Sequence, residues 1–135
     1  MSATNFLEYA RRIEDVLDVT VAIGEATLVS IQIDHRSALR GFIAGLLQFN
    51  DSSELRFREF VDTSLAEPRL MYAYHYQDAN NALIFRYDNA AHRPPLPQAE
   101  HKHTPIGMEV SPAPTLAQVV DEILKAEKRG EVDDG

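Results

Sequence analysis

Two alternating segments, 69–77 and 82–89, set an imidazole, a guanidinium and a carboxylate close together. Asn80-Asn81 between them favours a two-residue hairpin turn, because Asn tolerates positive φ. In that register His75 faces Arg86, Tyr74 faces Tyr87, Tyr76 faces Phe85 and Ala73 faces Asp88. Successive side chains point to opposite sides of a strand. One face therefore gathers Tyr72, Tyr74, Tyr76, Leu83, Phe85 and Tyr87, which suits packing on a core or helix. The other gathers His75, Gln77, Arg86 and Asp88. That polar face has the parts for general acid–base catalysis combined with phosphate stabilisation. Arg86 disfavours a protonated His75, and Asp88 favours it if the two approach. The structural alternative is a solvated sheet face whose charges pair with neighbours.

The segment that follows adds His92, Arg93, His101, Lys102 and His103, with six of the seven prolines falling between residues 90 and 114. Arg93 and Lys102 offer further positive charge for an anionic substrate. Three neutral imidazoles, His92, His101 and His103, could hold zinc or another divalent cation. Their spacing matches no specific metal motif, so no metal or cofactor is the leading expectation. Glycine-rich phosphate loops, a Gly-x-Ser-x-Gly elbow and a His-Glu-x-x-His helix are all absent from the sequence.

These groups need a scaffold. The chain of 135 residues suits one domain over 1–135, large enough to bury a core. Cysteine is absent, which excludes disulfides, thiolate metal sites and catalysis by Cys. No apolar run approaches a membrane span, and residues 1–5 lack the pattern of a secretion signal. A cytoplasmic location without membrane contact is expected. The net charge is −8, carried by the ends, with −3 over residues 1–25 and −4 over 109–135. The middle is nearly balanced at −1, so a broad basic face of the kind used on duplex DNA is not evident. An acidic exterior suits a basic partner.

Residues 5–18 carry Phe6, Ala10, Ile13 and Leu17 at helical spacing, and Asn5 with Glu8 resembles a capping box. An N-terminal helix is expected within residues 1–25. Residues 26–34 are β-branched and read as a strand. Residues 40–49 and 54–62 form the next pair, joined by Asn50-Asp51-Ser52-Ser53. A two-residue turn at Asp51-Ser52 puts Phe42, Ala44 and Leu46 on one face with Leu55, Phe57, Glu59 and Val61. It puts Arg56 and Arg58 on the other with Ile43, Leu47 and Phe49. Glu59 among apolar neighbours calls for an Arg or His partner. Residues 90–114 show no periodicity and read as a stiff loop. Thr115 with Gln118, followed by Leu116, Val119, Val120, Ile123 and Leu124, predicts a closing helix over 115–129. The fold class is α+β: an antiparallel sheet of about five strands over 26–89, with both helices on one face.

Residues 54–62 (ELRFREFVD), 72–78 (YAYHYQD), 83–92 (LIFRYDNAAH) and 101–103 (HKH) resemble the TumE family, the toxin component of a toxin–antitoxin pair. The resemblance covers roughly residues 25–125. It implies a cytoplasmic protein that inhibits growth and is silenced by a cognate antitoxin, expected to be a small DNA-binding protein. The polar positions that match are His75, Gln77, Arg86, Tyr87, Asp88, Asn89, His92, His101, Lys102 and His103, with Arg58 and Glu59. Ala91 and Arg93 depart from an Asn-Ala-Pro-His-His-Pro pattern, which removes one potential metal ligand.

The leading expectation is a metal-independent endoribonuclease toxin. Its catalytic candidates are His75, Arg86, Asp88, His92, His101 and His103, and its substrate-binding candidates Arg58, Tyr74, Gln77, Tyr87, Asn89 and Lys102. One alternative is a non-catalytic toxin or regulatory module that binds protein, alone or as a homo-oligomer. Another is a metal-dependent hydrolase using His92, His101 and His103.

Overall fold

The computed structural model describes residues 3–89 and 100–133. Helix α1 (Phe6–Ala22) leads into strands β1 (Ala26–His35), β2 (Arg40–Phe49), β3 (Glu54–Asp62), β4 (Arg69–Gln77) and β5 (Leu83–Asp88). Strands β6 (His101–Thr104) and β7 (Gly107–Val110) follow, and helix α2 (Leu116–Asp133) closes the chain. The seven strands form one antiparallel sheet in sequence order, each pairing with the next. The α+β class holds as expected. The sheet has two more strands than anticipated, because part of the expected 90–114 loop is a hairpin. Pro105-Ile106 makes its turn, with Thr104 opposite Gly107. Gly107 has φ 149°, a conformation that side chains rarely adopt. The His-Lys-His-Thr strand is too short to show periodicity, and its pairing with β5 is what makes it a strand.

The helix caps follow the sequence closely. Asn5 Oδ1 accepts from the Glu8 amide at 2.8 Å, and Glu8 Oε2 accepts from the Thr4 amide at 3.1 Å. Thr115 and Gln118 exchange side-chain-to-amide bonds at 2.9 and 3.2 Å. Each satisfies amides that the first helical turn leaves unpaired. Helix α1 runs beyond the expected Asp18 and α2 beyond the expected residue 129.

The β2–β3 register corrects the sequence reading. Phe42 pairs with Phe60, Ala44 with Arg58 and Leu46 with Arg56. The turn has three residues, not two: the Phe49 amide donates to the Ser53 carbonyl at 2.8 Å, and Ser52 takes φ 69°. Asp51 Oδ1 holds the Ser53 amide at 3.0 Å, the local bond that fixes this loop. A slip of one residue exchanges the two faces of a strand. Ile43, Leu47 and Phe49 therefore share the core face with Leu55, Phe57, Glu59 and Val61. Arg56 and Arg58 share the open face with Phe42, Ala44 and Leu46.

The β4–β5 hairpin keeps its expected pairs: Tyr74–Tyr87, His75–Arg86 and Tyr76–Phe85. The turn again has three residues, closed by Asp78 and Ala82, with Asn81 at φ 67°. A bulge at Tyr76/Gln77 adds back the missing residue, so the strand bodies still meet as predicted.

Both helices cover the core face. Phe6, Ala10, Ile13 and Leu17 of α1 join Leu116, Val119, Val120 and Ile123 of α2 over the tyrosine and phenylalanine side chains of β3–β5. Phe6 is fully buried directly over Gly41, where a Cβ would run into its ring. Burying such a side chain contributes about 1.5–3 kcal/mol. Among the described residues no helix is long and apolar enough to cross a membrane.

Candidate functional site

With the core on one side, the other face of the sheet is left open as a trough of about 560 Å³. Cross-strand pairing draws its polar side chains into rows. Arg56 pairs with His75, His75 with Arg86, and Arg86 with His103, so one row spans β3 to β6. Neighbouring strands lie about 4.8 Å apart, so the two imidazole-bearing residues stand about 10 Å from each other with Arg86 between. The next row reads Gln32, Ala44, Arg58, Ala73, Asp88 and His101. Arg58 is flanked by two alanines and makes no ion pair within 4.0 Å among the described residues. Small neighbours keep the floor of the trough low around its guanidinium. Ser30 and Gln32 of β1 form its far wall.

The charged groups are linked. Arg86 Nη1 lies 3.4 Å from His75 Nδ1, and Arg86 Nε donates to Asp88 Oδ2 at 2.9 Å. His103 Nε2 lies 3.4 Å from the same Asp88 oxygen. A buried carboxylate thus holds the arginine by a hydrogen bond and stands beside the second histidine, whose Nε2 makes no hydrogen bond among the described residues. Burial and then the Arg86 charge push the His75 pKa below its ordinary value. Asp88 is turned toward Arg86 and His103, so it does not offset that effect. His75 is consequently biased toward the neutral ring, the form that accepts a proton.

The remaining sequence candidates fall in different places. Gln77 lines the trough, and its amide donates to Asn81 Oδ1 at 2.9 Å. His101 is on the open-face row but buried, 1% exposed, opposite Asp88. Tyr74 and Tyr87 point to the core face: Tyr74 donates to Glu59 at 2.6 Å and Tyr87 to Glu122 of α2 at 2.6 Å. Lys102 lies on that side too, 3.3 Å from Glu122 and over the Tyr87 ring. Asn89 caps the end of the sheet, accepting from the Tyr72 amide at 2.9 Å. Tyr74, Tyr87 and Lys102 are thus separated from His75 by the thickness of the sheet. His92 and Arg93 lie outside the described residues. Among those described, no group of three or more His, Asp or Glu is arranged to hold a metal ion.

Arg56 was not legible as part of the site, and Glu59 was legible only as a carboxylate among apolar neighbours. Arg56 completes the row, and the pairing of the 54–62 segment with 69–77 was the signal for it once the register was right. Glu59, 1% exposed, is held by the hydroxyls of Tyr9 and Tyr74. The expected Arg or His is present only at one remove, since Arg69 donates to Tyr74 at 2.9 Å. Burial raises the pKa of Glu59, and the two hydroxyls act against that rise. This network ties α1 to β3 and β4 from inside the core.

A family model described as Toxin TumE matches residues 6–130, a longer span than the sequence resemblance suggested. No curated protein matches the chain. No solved structure matches it either. A match over nearly the whole chain, including every residue of the open-face rows, carries the conclusion. The chain belongs to the TumE toxin family, and membership implies a cognate antitoxin.

Proposed function

We propose that this toxin is a metal-independent endoribonuclease of the cytoplasm and that the open trough is its active site. The observation that carries this reading is the row Arg56–His75–Arg86–His103, with Asp88 bonded to Arg86 and 3.4 Å from His103. Neutral His75 takes the proton of a ribose 2′-hydroxyl. The freed oxygen attacks the adjacent phosphorus, and Arg86 with Arg58 or Arg56 stabilises the charge that builds on the phosphoryl oxygens. His103, beside the Asp88 carboxylate, delivers a proton to the departing 5′-oxygen. The products are a 2′,3′-cyclic phosphate and a 5′-hydroxyl, with one proton taken and one returned. His101 supports this row from below. The antitoxin, in this reading a small DNA-binding protein, silences the activity.

The test uses purified protein, a chelator and end-labelled oligoribonucleotides. Cleavage should persist in the chelator, leave cyclic phosphate ends and stop when the 2′-hydroxyl before the cut is removed. If His75→Ala and Arg86→Ala proteins, folded by circular dichroism, remain fully active or fully toxic on induction, the assignment is wrong.

A further inference from the structure

The sheet's other side carries a separate surface. A groove of about 370 Å³ runs between α1 and α2, walled by Val16, Val19 and Ile23 on one side and Val120 and Leu124 on the other. Val19 is 61% exposed and Ile23 58% exposed, although both stand beside the buried stripe of α1. Adjacent exposed apolar residues in a groove mark an interaction site more often than isolated ones do. Two helices side by side offer the ridges against which a third helix packs.

The electrostatics specify what that third helix carries. From Glu14 to Glu25 the chain has four acidic residues, Glu14, Asp15, Asp18 and Glu25, and no basic one. Asp15 borders the groove and makes no ion pair among the described residues. On α2, Asp121 borders it and is met at 2.8 Å by Lys125. The last turn of α1 has no basic side chain, so the negative end of its helix dipole is not offset there. The groove is thus apolar along its floor and negative along its α1 rim.

We propose that this groove docks a basic amphipathic helix of the antitoxin, with apolar residues at three- and four-residue spacing and Lys or Arg on the flanks. This rests on family membership and is independent of the ribonuclease reading. Because the groove and the trough lie on opposite faces of the sheet, this contact anchors the partner without itself filling the catalytic row.

The test uses two synthetic peptides of about 18 residues, or five helical turns, with the same leucine stripe. One is flanked by Lys and the other by Glu. Titrated into fluorescence anisotropy cells with the full-length protein, the Lys peptide should bind about tenfold tighter or better, and more weakly as salt is raised. Val19→Ser/Ile23→Ser should lower that affinity about tenfold without unfolding the protein. Asp15→Lys/Asp18→Lys should reverse the preference between the peptides. Equal binding of the two peptides, or affinity unchanged in the Val19/Ile23 variant, overturns the proposal. So does a wild-type dimer by light scattering that the Val19/Ile23 variant loses, because a second copy then occupies the groove. None of these readouts needs RNA cleavage, so failure here is separate from failure of the catalytic reading.

Discussion

The Arg86 guanidinium stands 3.4 Å from His75 Nδ1, one strand away and in direct register. In the proposed reaction Arg86 plays two parts: it offers positive charge to a phosphate and, together with burial, biases His75 toward the neutral ring. Activity should rise with pH along a limb centred below the ordinary histidine value of 6.5. Arg86→Gln should move that limb upward as well as lowering the rate, and a pH–rate profile of both proteins checks it.

The same depression affects stability. The folded state resists protonating His75, so below pH 6.5 the unfolded chain binds more protons at this group. Its contribution is therefore lost as pH falls below 6.5 and recovered as pH rises. His75→Asn should flatten the melting temperature between neutral and mildly acidic pH. An unchanged slope would sink the linkage.

In the proposed reaction His103, 3.4 Å from Asp88, serves the leaving group. His103→Ala should cost about 10²–10⁴-fold on an RNA dinucleotide step. The loss should be much smaller on a substrate with a good aryl leaving group, which needs no proton. Asp88→Asn should follow the same pattern more mildly. A uniform loss on both substrates would assign His103 to binding instead.

Arg58 and Arg56 should act through phosphates. Replacing either with Ala should weaken binding of a single-stranded oligoribonucleotide and reduce the salt slope by about 0.7 for each phosphate left without its arginine. Lys102→Met, on the helix side and paired with Glu122, should leave that slope unchanged. Salt-dependent anisotropy on the three proteins separates the faces.

Glu59 is a core element. Glu59→Ala leaves the Tyr9 and Tyr74 hydroxyls without their acceptor, at about 1–3 kcal/mol for each orphaned buried group. Its raised pKa means the folded state holds that proton more tightly than the unfolded chain does. Stability should therefore fall as pH rises through the carboxylate range, and Glu59→Gln should remove that dependence. Urea melts across pH check both.

Much of the chain was legible without coordinates. The alternation of β2, β3 and β4, the two helix caps and the division of the β4–β5 hairpin into an aromatic and a polar face all depend on neighbours within a few residues. Local periodicity and capping chemistry report such features directly. Even there the outcome was partly compensated: a three-residue turn and a bulge at Tyr76/Gln77 together restored the pairing that a two-residue turn implied.

What tertiary structure decided was register and long-range pairing. The Asp51–Ser53 bond fixed a three-residue turn, and that single residue moved Phe42, Ala44 and Leu46 onto the open face beside Arg56 and Arg58, while the pairing of β3 with β4 set Arg56 opposite His75. The pairing of β6 with β5 brought His103 beside Arg86 and sent Lys102 through to the helices. A four-residue strand has no periodicity of its own, so only its partner could place it. The residues of the proposed catalytic row were present in the sequence, but their alignment across four strands is a property of the folded sheet.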